Sequence, residues 1–208
     1  MKHKLIVNRT AHFYHEPAKG SSKGIIIAIH GYGQLAEDFI VEFAKLAAQG
    51  YDVYAPEALS KFYNKDRKPV ANWMTSHERE DEIRDYTNFI EKLIQSIIID
   101  SPQSPIHLIG FSQGVSTLLR WFAASRITAA SIHLIAGSIP EEFTATDVDK
   151  LLAKQYYYYH GSNDHLVNSK KVQKYLNQLT AIGIPYSFVS FEGRHEIPNL
   201  LLEHFTVS

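Results

Sequence analysis

The sequence predicts a three-layer α/β sandwich, in which a mostly parallel β-sheet carries helices on both faces. Short apolar runs alternate with amphipathic segments along the 208 residues. The runs are nearly continuous in apolar character, as expected for parallel strands covered on both faces. Strands that alternate with helices form right-handed β-α-β crossovers, which build such a sandwich. There is no internal repeat, low-complexity tract or linker, so we expect a single domain over residues 1–208.

Six apolar runs are the predicted strands of this sheet. They are residues 25–29, 52–55, 106–109, 131–136, 156–159 and 186–191. Residues 5–15 show mixed alternation, which predicts an antiparallel strand at one edge. Residues 56–72 lack clear periodicity, and long connections of this kind often cover a functional site.

Amphipathic segments between the strands predict helices. They lie at residues 38–49, 75–100, 115–122, 172–182 and 197–205. Gly50, Ser101-Pro102 and Gly183 end three of these helices, because glycine and proline both terminate the helical hydrogen-bond pattern. Thr75 and Glu78 have the spacing of a capping box at the start of the second helix.

Composition and charge argue against several classes of protein. With 21 basic and 22 acidic residues the net charge is −1, which offers no long-range attraction for nucleic acid. The absence of cysteine excludes disulfides, thiolate metal sites and cysteine nucleophiles. No apolar stretch has the length of a signal peptide or a membrane span. His12 and His15 lack further ligands, so we expect no metal site. From the composition as a whole we expect a cytoplasmic protein without cofactor, nucleic acid or membrane span.

The pentapeptide Gly110-Phe111-Ser112-Gln113-Gly114 is the strongest chemical signal. It has the pattern G-x-S-x-G and lies between the predicted strand 106–109 and the predicted helix 115–122. A strand that reverses into a helix within so few residues forces the central serine into a strained conformation and exposes its hydroxyl. The sequence therefore predicts Ser112 as a nucleophile.

A serine nucleophile needs a base, and His195 is the best placed of the histidines. It follows the last predicted strand, at residues 186–191, in a loop that can reach over the sheet edge to Ser112. His160 and His165 are weaker candidates, because they lie around the expected acid instead.

The acid that orients this histidine is expected after the strand at residues 156–159. Asp164 lies there in a polar turn and could accept a hydrogen bond from His195. Asp147 and Asp149 are alternatives, although they resemble acids at the start of a helix. Asp164 could also be a turn or capping residue.

The sequence His30-Gly31-Tyr32-Gly33 predicts an oxyanion hole. It follows the strand at residues 25–29, and its glycines allow a sharp turn beside the active serine. In an arrangement of this kind one donor is the amide of the residue after the nucleophile, here Gln113, and the other is most simply Tyr32. His30 is expected to brace the loop.

Aromatic residues near residues 56–75 could contact a substrate. Phe62, Tyr63, Trp73 and Met74 could line an acyl pocket or could pack the connection down. We favour a pocket role for Trp73.

Taken together, these motifs resemble the phospholipase/carboxylesterase family of small α/β-hydrolases, which includes acyl-protein thioesterases and bacterial carboxylesterases. The most specific piece is residues 110–114, where Phe111 and Gln113 occupy the variable positions as they do in that family. Trp73 and the segment 160–167 also have counterparts there, whereas Val115 and Gln34 depart from the family pattern.

The resemblance implies the α/β-hydrolase fold and cofactor-free hydrolysis of carboxylic esters through an acyl-enzyme on Ser112. We expect esters of small or medium acyl chains as substrates and a possible homodimer. The chain lacks room for a separate lid domain, which argues against an interfacial lipase. Thioesterase, lysophospholipase or dienelactone-type activity remains an alternative. A catalytically silent ligand-binding scaffold is the alternative from another class.

Overall fold

A seven-stranded sheet forms the middle layer of the protein, and a computed structural model describes residues 1–100 and 103–205. The strands of the chain are β1 (Phe13–Glu16), β2 (Gly24–Ile29), β3 (Tyr51–Pro56), β4 (Ser60–Tyr63), β5 (Pro69–Asn72), β6 (Ile106–Phe111), β7 (Ser131–Ile135), β8 (Tyr156–Gly161) and β9 (Ser187–Phe191). The order across the sheet is β1-β3-β2-β6-β7-β8-β9, with β1 antiparallel to β3 and the other neighbours parallel. The predicted fold class is confirmed.

Helices cover both faces of this sheet. They are α1 (Ala36–Ile40), α2 (Ala44–Ala48), α3 (Arg79–Asp100), α4 (Gln113–Ala124), α5 (Ala145–Val148) and α6 (Ser169–Ala181), with 3₁₀ helices at Val41–Phe43 and Asn199–Phe205. Side chains of β2 alternate between the faces: Ile27 packs in the core with α3, α4 and α6, and Ile26 packs with α1 and α2. None of the helices within the described ranges is long and apolar enough to cross a membrane.

Two helices end at the glycines predicted to terminate them. Gly50 follows the α2 segment with φ 99°, and Gly183 follows α6 with φ 84°. This left-handed conformation is accessible to glycine without a steric penalty, so these residues end the helices as expected. The predicted stop at Ser101-Pro102 lies outside the described residues.

The start of α3 differs from the prediction. The helix begins at Arg79, and Glu78 lies just before it with φ 56°. Thr75 therefore cannot pair with Glu78 in a capping box. Its hydroxyl and backbone N–H instead bind the carboxylate of Glu82, at 3.2 and 2.5 Å, one helical turn further on.

Two connections also differ from their predictions. Residues 56–72, expected to be a loop, contain an antiparallel hairpin of β4 and β5. An isolated bridge joins this hairpin to the residues after β2, through Gln34 and Ala71. At the amino terminus the antiparallel edge strand forms, but it covers Phe13–Glu16 and not the whole of the predicted residues 5–15.

A row of hydrogen-bonded polar side chains crosses the sheet among apolar residues. His107 Nδ1 lies 2.7 Å from Ser131 Oγ, which lies 2.7 Å from His133 Nε2, and His133 Nδ1 lies 2.8 Å from the Tyr159 hydroxyl. His133 and Tyr159 are fully buried. Burial lowers the pKa of His107 to about 4 and that of His133 well below its usual range.

The donor and acceptor of each hydrogen bond in this row follow from the atoms that carry the protons. The Tyr159 O–H makes its hydrogen bond with His133 and therefore donates to it, so that no buried proton is left unpaired. Neutral His133 then donates through Nε2 to Ser131, and Ser131 donates to His107 Nδ1. All three hydrogen bonds of the row can form in this direction only while both histidines are neutral.

We expect the protein to lose stability as the pH falls below neutrality. The pKa of His107 is about 4 in the folded protein against 6.5 for an ordinary histidine, so between these values the unfolded chain binds more protons. The free energy of unfolding therefore decreases as pH falls through that window, by about 1 to 2 kcal/mol between pH 7 and pH 5 for this residue. Denaturant titrations at several pH values measure it.

His107→Gln should reduce the slope of this pH dependence, because the amide can accept the Ser131 hydrogen bond but does not titrate. His3→Gln is the matched control, since His3 is exposed and its replacement should leave the pH dependence unchanged. An unchanged slope in the His107 variant would contradict the assignment.

Candidate active site

The chain passes from β6 into α4 at Ser112 with no intervening loop. Ser112 has φ 53° and ψ −118°, a conformation that costs a non-glycine residue about 1 to 3 kcal/mol. Its backbone N–H donates to Ile135 O at 2.9 Å, and its carbonyl accepts from Val115 N at 3.1 Å. The strained turn predicted from the G-x-S-x-G pattern is therefore present, and it holds a half-buried serine at the carboxyl edge of the sheet.

Glycines make room for this turn. A Cβ at Gly114 would lie 2.1 Å from Ile29 O, and one at Gly110 would lie 2.8 Å from Val115 Cα. A Cβ at Gly137, directly after β7, would lie 2.3 Å from Ser112 O. The sequence indicated the first two glycines, but Gly137 was missed because its contact joins segments far apart in the chain.

The structure brings Asp164 and His195 together. His195 Nδ1 lies 2.7 Å from Asp164 Oδ2, and the Asp164 side chain is sealed from solvent. The other carboxylate oxygen accepts the N–H groups of Leu166 and Val167 at 2.8 and 2.9 Å. Asp147, a sequence alternative for the acid, instead bonds Thr144 in the capping box of α5.

These contacts set the charge of the acid and the tautomer of the histidine. Burial raises the pKa of Asp164, but the Val167 amide and the His195 imidazole outweigh it and hold the pKa below its usual value. An ionised carboxylate only accepts hydrogen bonds, so His195 carries its proton on Nδ1. In the neutral imidazole, Nε2 then has a lone pair.

The loops that carry this pair are joined by backbone hydrogen bonds. Ser162 N donates to Phe191 O and Asn163 N donates to Gly193 O, each at 2.8 Å. A Cβ at Gly161 would lie 2.3 Å from Arg194 O, so the two loops meet closely. The loop after β8 thereby fixes the loop after β9.

No hydrogen bond joins Ser112 to His195 in the described structure. The ring of Phe111, the residue before Ser112, lies 4.9 Å from the His195 ring between centroids. Hydrogen bonds of this kind are often long in the absence of substrate and shorten when it binds. The two side chains therefore share one edge of the sheet, as the sequence predicts.

The loop after β2 lies against the serine. A Cβ at Gly31 would lie 3.1 Å from Ser112 Cβ, so the backbone at Gly31 packs closely against the serine side chain. Within the described residues, neither the Tyr32 N–H nor the Gln113 N–H donates a hydrogen bond to a protein acceptor. Both predicted oxyanion donors are therefore available.

Trp73 occupies a different place from the one expected. Its side chain is only 2% exposed, and its indole Nε1 donates to His30 O at 2.9 Å. The ring packs against His30 and Tyr86, with centroids 5.0 and 6.0 Å away. The predicted pocket role is wrong in this structure, because an indole N–H buried in the core must find an acceptor there.

Sequence comparison assigns the family. The sequence profile of the phospholipase/carboxylesterase family matches residues 11–206. The chain belongs to this family. It is accordingly a hydrolase of the esterase and thioesterase type, as the resemblance implied. No protein of curated function matches the sequence.

Solved structures share the fold of this phospholipase/carboxylesterase family member. Esterase PE8 is 19% identical over 95% of this chain and 97% of its own, with a TM-score of 0.66. Acyl-protein thioesterase 2 from Zea mays is 17% identical over 94% and 96%, with a TM-score of 0.69. TT1662 from Thermus thermophilus is 17% identical over 93% and 92%, with a TM-score of 0.70. Together with the family match, these similarities establish the α/β-hydrolase fold.

We expect the conformation of Ser112 to invert the usual order of stability, in which an alanine variant is more stable than a glycine variant. Ser112→Gly should be more stable than Ser112→Ala by roughly 1 to 2 kcal/mol, because only glycine adopts φ 53° and ψ −118° without strain. Ser116, inside α4, is the matched position, and there alanine should exceed glycine by about 1 kcal/mol. Denaturant unfolding of the four variants measures both differences. The same order at both positions would contradict a strained turn.

Proposed function

We propose that the protein hydrolyses carboxylic esters of small to medium acyl chains through an acyl-enzyme on Ser112. The observation that carries the proposal is the hydrogen-bonded pair of Asp164 and His195 beside a strained serine. Asp164 would orient the imidazole, Ser112 would attack, and the amides of Tyr32 and Gln113 would bind the oxyanion.

The first half-reaction follows from the tautomer of His195. Its free Nε2 accepts the Ser112 proton as the serine oxygen forms a bond to the ester carbonyl carbon. Negative charge develops on the carbonyl oxygen, where the N–H groups of Tyr32 and Gln113 stabilise it. Collapse of this intermediate breaks the ester C–O bond, and His195 returns the proton to the departing alcohol.

The second half-reaction uses the same groups. His195 Nε2 accepts a proton from water as the water oxygen attacks the acyl carbon. The intermediate collapses to the carboxylic acid, and the proton passes from His195 to the Ser112 oxygen. Throughout, the ionised Asp164 stabilises the imidazolium without taking its proton.

Aromatic side chains on and beside the loop after β2 support an apolar acyl group. Tyr32 is 60% exposed, and its ring lies 5.3 Å from that of Phe62 in β4. A Cβ at the neighbouring Gly31 would lie 3.1 Å from Ser112 Cβ, so the loop that carries Tyr32 also packs against the serine. Trp73 is sealed in the core and contributes no such surface.

We expect Ser112→Ala to abolish turnover of p-nitrophenyl esters. The loss of the nucleophile should lower kcat by roughly 10³-fold or more, while the fold is retained. A series from acetate to dodecanoate, with matched thioesters, would give the chain-length optimum and the ester preference. A wild-type protein that is folded, inactive on the whole series and unlabelled by a fluorophosphonate would refute the proposed function.

Asp164→Asn should lower kcat by roughly 10²- to 10⁴-fold, because the amide N–H would favour the His195 tautomer with the proton on Nε2. Steady-state kinetics measures the loss. Asp149→Asn removes an exposed carboxylate, one of the two alternative acids in the sequence, and should leave kcat unchanged. Equal effects of the two substitutions would show that Asp164 is not the orienting acid.

A further inference from the structure

Two peptide units meet at Gly31, and side chains bind three of their four polar groups. The His30 carbonyl accepts the Trp73 indole N–H at 2.9 Å, and the Gly31 N–H donates to Gln34 Oε1 at 2.7 Å. The Gly31 carbonyl lies 2.7 Å from His30 Nδ1. The fourth group, the Tyr32 N–H, is the one with no protein acceptor in the described residues.

The hydrogen bond to the Gly31 carbonyl fixes the direction of the Tyr32 N–H. The two groups belong to one planar trans peptide, in which they point in opposite directions. His30 Nε2 accepts the Ala58 N–H at 3.1 Å, so its proton lies on Nδ1 and points at the Gly31 carbonyl. His30 is fully buried, and burial lowers its pKa to about 4, so this neutral tautomer persists near neutral pH.

The segment Asn72–Met74 also holds the other donor, through the side chain of Gln113. Gln113 Nε2 donates to Asn72 Oδ1 at 2.8 Å and to Met74 O at 2.9 Å. Gln113 Oε1 accepts the Trp73 backbone N–H at 3.2 Å. Trp73 thus binds the loop after β2 through its indole and the first residue of α4 through its backbone.

We propose that Trp73, together with His30 and Gln34, is a positioning residue that sets the direction and separation of the two oxyanion donors. This inference rests on the proposed function, because it assigns the donors that function requires. It gives the buried indole N–H a task that a packing role alone would not require. Donors aimed in advance stabilise the transition state without reorganising, and one such donor is worth about 10²- to 10³-fold in kcat.

Trp73→Phe tests this role by deleting the indole N–H while keeping an aromatic ring. We expect kcat to fall about 10-fold with little change in KM, because the donors act on the transition state. Affinity for a trifluoromethyl ketone, which adds to the serine and carries an oxyanion, should fall by the same factor as kcat/KM. A merely structural role would not produce that proportionality.

Trp121→Phe is the matched control. Trp121 is fully buried, and its Nε1 donates to Glu91 Oε2 at 2.9 Å, far from the oxyanion loop in the hydrogen-bond network. Both variants should lose similar thermal stability, but Trp121→Phe should keep the wild-type kcat and trifluoromethyl ketone affinity. Equal kinetic effects of the two substitutions, or an unaltered Trp73→Phe enzyme, would overturn the positioning role.

Gln34 offers a second, smaller test that does not depend on the tryptophan. Gln34→Glu keeps an oxygen that can accept the Gly31 N–H and should retain kcat, whereas Gln34→Leu should lose kcat and trifluoromethyl ketone affinity together. Equal activities of these variants would also count against the proposal. An inactive wild type unlabelled by a fluorophosphonate would refute both proposals, whereas an active wild type with these negative results would refute the positioning role alone.

Discussion

The turn at Ser112 constrains three strands at once, because the backbone there is strained and closely surrounded. β6 must end where α4 begins, and the space needed is supplied by Gly114 against β2 and Gly137 after β7. The hydrogen bond from the Ser112 N–H to Ile135 holds the turn to β7. A conformation that is unfavourable in isolation persists only when its surroundings determine it this fully. The position of the hydroxyl is therefore a property of the sheet, and not of the pentapeptide alone.

Two clusters of hydrogen-bonded side chains that contain histidine lie in different parts of the sheet. At the carboxyl edge, Asp164 is ionised and His195 has an open nitrogen, so charge can move there. Within the sheet, His107 and His133 are held neutral by burial and by a hydrogen-bond row that has no room for an extra proton. The two clusters differ in their outer nitrogen: within the described residues His195 Nε2 has no hydrogen-bond partner, whereas both ring nitrogens of His133 are bonded.

The sequence predicted the parts of the site that depend on local order along the chain. Ser112, Asp164 and His195 each follow a parallel strand, and the carboxyl ends of parallel strands meet at one edge. Their neighbourhood could therefore be inferred without knowing any long-range contact. The β4–β5 hairpin was missed because its strands carry lysine, proline and asparagine and show no clear apolar period. The helix start at Arg79 was missed because Glu82, and not Glu78, meets Thr75.

Trp73 shows why the residues that support the site could not be predicted from the order of elements along the chain. An aromatic residue near a candidate catalytic serine fits two structural roles equally well, a wall of a substrate pocket or a core residue that supports the site. What separates them is the partner of the indole N–H, and that partner is a carbonyl 43 positions earlier in the chain. The spacing of residues along the sequence does not predict such a long-range contact. The acceptor is the carbonyl of His30, whose own imidazole binds the next carbonyl, so burying the tryptophan also orders the loop. In the proposed function, the direction of the oxyanion donors therefore depends on core residues that do not touch the substrate.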